Sequence, residues 1–427
     1  MDILIHVANF FPEPIGVGKY AGELAFHLAR CGRRVEVVAA PPHYPGWSVM
    51  APYKALRYRR ERISGVSVWR CPVLTRANGG GAWRVLAPLS FAVFAAPLVA
   101  WRIFRARPGV VFCVEPTLFS APAALLAARL TGARTILHVQ DFEVDAAFVL
   151  HLRGGVARRL GLAFERFLLR RFHLMVTISH AMRDALIEKG VEAENCVVIR
   201  NWVDLKAIHP LPARAPNAFR AALGLPAEKF VILYAGHIGR KQALHVVVEA
   251  ARLCREQDDL HFVIAGDGPE KAALMARADG LTNVSFLPLQ PVESLNELLN
   301  LADLHVLPQA KNTADLVLPS KLGGMLASGR PIVAAVAPET ELGRMVQGAA
   351  FLTPPEDAAA LAETIRSAAR LDLGLLADRS RALAETLSKE RILATFEKAI
   401  FAADARGKPV PVRMDHPAAD ARKGASG

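Results

Sequence analysis

Short β-branched runs alternate with longer helical patterns along nearly the whole chain. In the first half, apolar runs predict strands near 2–8, 34–39, 66–70, 109–114, 134–139 and 174–178, with amphipathic or apolar helical stretches between them. Runs this short and this uniformly apolar suit strands buried on both faces, so the alternation predicts a parallel sheet covered by helices on two sides. The pattern pauses after Asn201-Trp202-Val203-Asp204, where three prolines fall between His209 and Pro216. Proline removes a backbone donor and resists helix, and such clusters make linkers. Strands are then predicted near 229–235, 260–265, 283–286, 303–307, 331–335 and 349–352. The expected architecture is α/β, with one doubly wound domain over 1–205 and a second over 206–405, leaving the last helices free to cross back to the first. Residues 406–427 lack apolar periodicity and predict a disordered tail. Ligands of open α/β sheets bind beyond the carboxyl ends of the strands, so chemistry is expected in the loops that follow strands and in a crevice between the two sheets.

Composition sharpens this picture. With 427 residues, 52% hydrophobic and 22% charged, the chain is too apolar for disorder and too long for one ordinary core. Its net charge of +12 lies wholly in the first half: residues 1–200 hold 26 Lys+Arg against 14 Asp+Glu, whereas 201–427 hold 26 of each. A basic half admits nucleic acid, anionic lipid and phosphorylated small molecules as partners. No zinc finger, RNP motif or basic heptad accompanies it, so nucleic acid is not expected. The five cysteines (Cys31, Cys71, Cys113, Cys196, Cys254) are scattered without a C-x-x-C and read as reduced packing thiols. Met1-Asp2-Ile3-Leu4-Ile5 lacks the basic and apolar regions of a signal peptide, and a cytoplasmic location is the expectation.

One segment departs from that. Val85 to Trp101 runs 17 residues without a charge and is followed by Arg102, Arg105 and Arg107. It approaches a membrane span in length, but Pro88 and Pro97 interrupt it, and a buried crossover helix has the same hydropathy. A core or membrane-grazing helix is expected.

Five stretches carry candidate chemistry. In Asn9 to Tyr20, before a helix predicted over Ala21–Arg30, Gly16 and Gly18 let backbone amides approach an anion, and Lys19 adds a cation. Gly16-x-Gly18-x-x-Ala21 imitates a dinucleotide fingerprint. However, seven residues separate it from the strand, and the second strand ends Val38-Ala39-Ala40 without an acidic residue. Ala39 to Trp47, continuing through Tyr53-Lys54 to Arg62, interleaves aromatics and arginines, as a stacking surface, a lipid head-group layer or a solvated loop would. Gln140-Asp141-Phe142-Glu143-Val144-Asp145 places three carboxylates at a strand end, suited to orienting hydroxyls or to capping a helix. With no His/Cys set beside them, no bound metal is expected.

The last two stretches lie in the second half. Gly236-His237-Ile238-Gly239-Arg240-Lys241 follows a strand and precedes a helix predicted over Ala243–Arg255, an arrangement of open amides and a lysine suited to a diphosphate; Gly266-Asp267-Gly268 ends the next strand. In Asp315 to Ala334, Ser320 and Lys321 are expected in the first turn of a short helix, where a lysine opposes the helix dipole unless an anion binds.

Together these residues resemble a GT-B-fold glycosyltransferase of family 4, and along nearly the whole chain the colanic-acid biosynthesis fucosyltransferase type. The likeness rests on the Gly16–Tyr20 loop, Ala40-Pro41-Pro42-His43-Tyr44-Pro45, Val68-Trp69-Arg70-Cys71-Pro72, Pro116-Thr117-Leu118-Phe119, Leu137 to Ala146, Gly236 to Gln242, and Val317-Leu318-Pro319-Ser320-Lys321-Leu322. The resemblance implies two Rossmann-like domains facing a cleft, the second holding a nucleotide-diphosphate sugar and the first the acceptor. It implies retention of anomeric configuration with no cofactor and no metal. Lys241 matches the family's phosphate lysine; Lys321 and Ser320 would face the same diphosphate, with Gly236, His237 and Gly266 around it and Gly16 and Gly18 over it. Lys19 and Glu143 are expected at the acceptor, and Asp141 and Asp315 in catalysis.

The chain also departs from the family. Its Glu-x7-Glu pair falls on Leu316 and Gly324, with Asp315 adjacent as a substitute; His237 replaces an arginine; Gln140-Asp141 stands where many members have His-Asp. Glu341 is a further candidate for a sugar or ribose contact. The expected activity is transfer of a sugar, with fucose from GDP-fucose as the candidate donor, to a lipid-linked oligosaccharide in exopolysaccharide assembly, by an enzyme peripheral on an anionic inner membrane face. A catalytically silent binding partner of the same pathway and a nicotinamide oxidoreductase are the alternatives.

Overall fold

The computed structural model describes residues 1–77, 81–116, 118–142, 156–212, 215–311 and 318–401. Glu143, Asp315, Leu316 and the predicted tail lie outside these residues. The chain forms two compact units, one from Met1–Ile199 with the chain from Leu393, the other from Arg200–Ile392.

The first unit is built on an eight-stranded sheet of β1 (Ile3–His6), β2 (Val35–Ala39), β3 (Arg59–Ile63), β4 (Val66–Arg70), β5 (Val110–Glu115), β6 (Arg134–Val139), β7 (Leu174–Thr177) and β8 (Cys196–Val198). Its order is β3-β4-β2-β1-β5-β6-β7-β8. Ile5 of β1 lies opposite Val37 on one side and Phe112 on the other, all fully buried. Each such side chain contributes about 1.5–3 kcal/mol on leaving water.

Two strands here depart from the sequence expectation. Arg59–Ile63, whose composition suits an exposed basic surface or a solvated loop, pairs antiparallel with β4 through a turn at Ser64 (φ 47) and Gly65 (φ 86). It is the sheet's edge, where charged side chains face water and block further strand pairing. Cys196–Val198 forms β8, too short to show a period.

The uncharged segment lies within a 26-residue helix, Gly81–Ala106, that contains Pro88 and Pro97. Ala87, Phe91, Ala95, Val99 and Ile103, four residues apart, are buried against the unit, whereas Leu86, Leu89, Val93, Trp101 and Phe104 are exposed. Among the described residues, its Val85–Ala106 portion is the one helix long and apolar enough to cross a membrane, and a third of its most apolar window is buried. The final helix, Lys389–Phe401, returns to the first unit. Buried Phe396 meets the His138 ring at 5.0 Å, and Arg134 Nη1 donates to the Ile400 carbonyl at 3.1 Å.

The second unit holds a six-stranded, wholly parallel sheet of β9 (Phe230–Ala235), β10 (Leu260–Ala265), β11 (Val284–Leu287), β12 (Leu304–Pro308), β13 (Ile332–Ala335) and β14 (Phe351–Thr353), in the order β11-β10-β9-β12-β13-β14. The strand order reverses between β1 and β5 in the first sheet and between β9 and β12 in the second. Those switch points are where doubly wound sheets leave room for a ligand.

Three predicted helix starts move. The helix predicted from Ala21 begins at Gly16, so Gly16, Gly18 and Lys19 belong to its first turns. The helix predicted from Ala243 begins at His245, because Ala243 takes a left-handed backbone (φ 46) and sets Arg240–Gln242 apart as a separate 3-10 turn. Ser320 and Lys321 precede the helix Leu322–Ala327 rather than filling its first turn, with Lys321 in the capping position.

Candidate active site

At the carboxyl ends of β9 and β10 in the second sheet, two glycine turns are stitched into one surface. Ile238 N donates to the Asp267 carbonyl at 2.9 Å, and Glu270 N returns a bond to Ile238 O at 3.2 Å. The contact leaves no room for side chains: a Cβ on Gly266 would stand 1.9 Å from the Gly236 carbonyl oxygen, and one on Gly268 would stand 2.2 Å from that of Ile238. Both glycines also have positive φ (145° and 156°), which side-chain-bearing residues rarely adopt. The amides of His237 and Gly239 donate to no described group, which leaves them to hydrogen-bond an anion.

Lys321 completes this surface. Its Nζ lies 3.9 Å from the Tyr234 ring centroid and donates to the Tyr234 hydroxyl at 2.6 Å, while that hydroxyl donates to the His237 carbonyl. The same Nζ stands 3.5 Å from where a Gly236 Cβ would be, so the ammonium rests against the first glycine of the turn. Burial disfavours its charged form and pushes its pKa down to about 7. A desolvated cation held beside open amides is chemically suited to an oxyanion, whose arrival would restore the lysine's charge.

The other predicted residues divide. His237, Arg240, Lys241 and Ser320 are exposed near the same turns, and Arg240 pairs with Glu270 at 3.3 Å. Glu341 is buried, and its carboxylate accepts from Arg200 at 3.1 Å, so that oxygen is already engaged within the unit. Gly324 sits where the second motif glutamate falls; a Cβ there would come within 3.2 Å of Leu299 Cδ1. The position serves packing.

In the first unit, a Cβ on Gly18 would stand 2.6 Å from both Cβ and Oε2 of Glu13, so this glycine is required by a side chain that sequence reasoning passed over. Glu13 is buried, and its Oε1 accepts from the His43 and Tyr44 amides at 2.8 and 2.9 Å, clamping the loop after β2 to the loop after β1. An acidic residue five positions before Gly18 is the only signal the sequence offers for it. Gly16 (φ 63) opens the helix, and Lys19 is half-buried with its Nζ 5.5 Å from the Tyr20 ring centroid. Asp141 is exposed, and its Oδ1 accepts from the Phe142 amide at 2.9 Å. Four of the five cysteines are buried, with Cys71 and Cys113 pushed up to about 12 by burial. Among the described residues one group of metal-type side chains occurs, His27, Cys31 and Glu397, and Arg33 already holds Glu397 at 3.1 Å.

Known proteins give the family of the chain. The family described as "Glycosyl transferase 4-like domain" matches residues 16–202, and "Glycosyl transferases group 1" matches residues 229–370. The putative colanic acid biosynthesis glycosyl transferase WcaI of Escherichia coli K12 is 42% identical over 406 residues, covering 93% of this chain and 98% of its own. The chain is a family 4 glycosyltransferase of the GT-B fold. Solved structures agree on the fold. Sucrose-phosphate synthase from Thermosynechococcus elongatus superposes with a TM-score of 0.68 at 16% identity, and Anabaena HepE in complex with UDP and glucose with 0.64 at 21%. Each covers 93% of this chain and 98% of its own.

For this glycosyltransferase the depressed Lys321 pKa predicts a pH dependence. Above about pH 7 the free lysine is neutral, so a bound diphosphate must bring a proton with it. Affinity for a nucleoside diphosphate is therefore expected to fall as pH rises through 7, by at most tenfold per pH unit. Calorimetry in buffers of different ionisation enthalpy checks this through proton uptake near pH 8. Lys321→Arg, whose guanidinium keeps its charge, is expected to flatten the profile.

Proposed function

We propose that the enzyme transfers fucose from GDP-fucose, with retention of configuration, to a lipid-linked oligosaccharide in exopolysaccharide assembly of the colanic-acid kind. The observation that carries the donor half is the desolvated Lys321 ammonium against Gly236, beside the open amides of His237 and Gly239. As the bond from the anomeric carbon to the diphosphate breaks, negative charge grows on the leaving oxygen. Preorganised cations and amides stabilise it without reorganising. Lys241 and Ser320, exposed at the same turns, add to that field. Lys19 is assigned to acceptor binding and Asp141 to catalysis. Support for the pathway comes from the 42% identical relative named for colanic acid biosynthesis; support for a nucleotide sugar donor comes from the HepE complex with UDP and glucose.

The enzyme is assigned to the inner membrane face as a peripheral protein. The exposed apolar ridge of helix Gly81–Ala106 and the excess of basic residues in the first half favour an anionic bilayer, to which each suitably placed cation adds about 1 kcal/mol.

A thermal-shift series with GDP, UDP and dTDP tests the donor. A ligand that binds only the folded enzyme raises its midpoint, and GDP alone is expected to do so. A shift with UDP instead reassigns the base. No shift with any of the three, together with no transfer from GDP-fucose to lipid-linked acceptors, sinks the reading. Binding without turnover has one observation on its side, the packing role of Gly324 where the family places a glutamate. Nucleotide protection without transfer would favour it.

A further inference from the structure

The first unit carries a cavity that the donor chemistry does not use. It has a volume of about 420 Å3 and lies between the loop after β2 and the β3–β4 hairpin. Five cations line it, Lys54, Arg57, Arg59, Arg60 and Arg70, and among the described residues no carboxylate does.

Arg70 forms the fixed floor. Fully buried, it donates from Nε to Glu61 at 2.8 Å and from Nη1 to the Ala40 carbonyl at 3.1 Å. Glu61 is thereby consumed, since it also pairs with Arg59 at 3.6 Å and accepts the Tyr53 hydroxyl at 3.3 Å. Lys54, Arg57 and Arg60 at the rim have no carboxylate partner among the described residues; Arg60 has only the face of Trp69, 4.9 Å away. Uncompensated like charges around one concavity repel each other and raise the local concentration of anions, and a multivalent anion relieves the repulsion. Arginine and lysine together suit phosphate oxygens, the guanidinium by paired hydrogen bonds and the ammonium as a point charge.

What stands beside the cavity narrows the ligand. The hydroxyl of Tyr58, which lines it, donates to the Phe94 carbonyl of helix Gly81–Ala106 at 2.8 Å. That helix turns outward Leu89, Val93, Trp101 and Phe104, with Val93 70% exposed. An anion pocket therefore adjoins an apolar ridge, as an amphiphile with a phosphorylated head requires.

We propose that this pocket holds the diphosphate head group of the lipid-linked acceptor while the ridge of helix Gly81–Ala106 rests in the hydrocarbon boundary beside it. The inference rests on the acceptor class proposed above and names which part of the acceptor the first unit grips.

The test compares binding of the full chain to phosphatidylcholine vesicles carrying farnesyl diphosphate with binding to vesicles carrying phosphatidylglycerol at equal surface charge. Affinity is expected to be about tenfold higher for the diphosphate vesicles, since paired charge-assisted bonds exceed diffuse attraction. Inorganic pyrophosphate should compete, and Lys54→Ala/Arg57→Ala/Arg60→Ala, three exposed positions, should erase the preference. Equal affinity for the two vesicles, or a preference that survives the triple substitution, overturns the proposal. Pyrophosphate binding in solution without preference for diphosphate vesicles overturns the lipid assignment in favour of a soluble phosphate. The GDP thermal shift of the triple variant should match that of the unsubstituted enzyme. Failure of the donor reading would show instead as no GDP shift in either protein, whatever the vesicles do.

Discussion

Replacing Lys321 with alanine is expected to lower kcat/KM for the nucleotide sugar by roughly 10²–10³-fold, the range for losing one preorganised stabiliser of developing charge, about 3–4 kcal/mol. The geometry sets the direction. The ammonium is held by the Tyr234 ring at 3.9 Å and its hydroxyl at 2.6 Å, so it is aimed before any ligand arrives. Because the charge on the leaving diphosphate grows only as the bond breaks, kcat should fall more than KM rises. Arginine should restore only part of the activity: its planar guanidinium spreads over several nitrogens the charge that the ammonium concentrates at one point beside Tyr234 and Gly236. Steady-state kinetics of the alanine and arginine variants at pH 6.5, where the native lysine is mostly charged, check both statements. Wild-type kcat/KM in the alanine variant would remove Lys321 from the donor site.

Gly266→Ala is the second large effect, and it acts on structure. The new methyl would stand 1.9 Å from the Gly236 carbonyl oxygen, a backbone atom that cannot rotate away, at a residue with φ 145. Overpacking and backbone strain each cost about 1–3 kcal/mol, so destabilisation of about 3 kcal/mol or more is expected. In a unit of this size that is a fall in melting temperature of about 10 °C. The two turns would separate, and nucleotide protection should disappear even where the unit stays folded. Gly280, which also has positive φ but open space around it, supplies the control, since Gly280→Ala should lose only the strain. Equal melting temperatures for the two variants would show that the contact between the turns is not a structural constraint.

Much of this architecture was legible along the chain because buried parallel strands are written as short, nearly continuous apolar runs. β6 and β10 occupy the residues those runs predict, 134–139 and 260–265. The edge strand β3 was not legible. Its residues Arg59-Arg60-Glu61-Arg62 face solvent or ion partners, and their pairing is decided by the positive-φ turn at Ser64-Gly65 and by the partner strand. Helix starts failed for a related reason. A left-handed Ala243 is imposed by how the glycine turn closes, and nothing in an alanine announces it.

The sequence by itself determined the two α/β sheets, the glycosyltransferase family, the basic character of the first half and the glycine turns at the ends of β9 and β10. These depend on residue type and local spacing, which a linear pattern preserves. Only the tertiary structure decided which charges are spent and which remain. Glu341 is bound by Arg200, Arg102 by Glu36 and Arg70 by Glu61, whereas Lys54, Arg57 and Arg60 keep no carboxylate partner among the described residues. It also placed Lys321, 87 positions from Tyr234, against that ring and partly out of water. A charge's partner and its exposure are set by residues far away in the chain, and pairing or desolvation, rather than the residue's identity, fixes its chemistry.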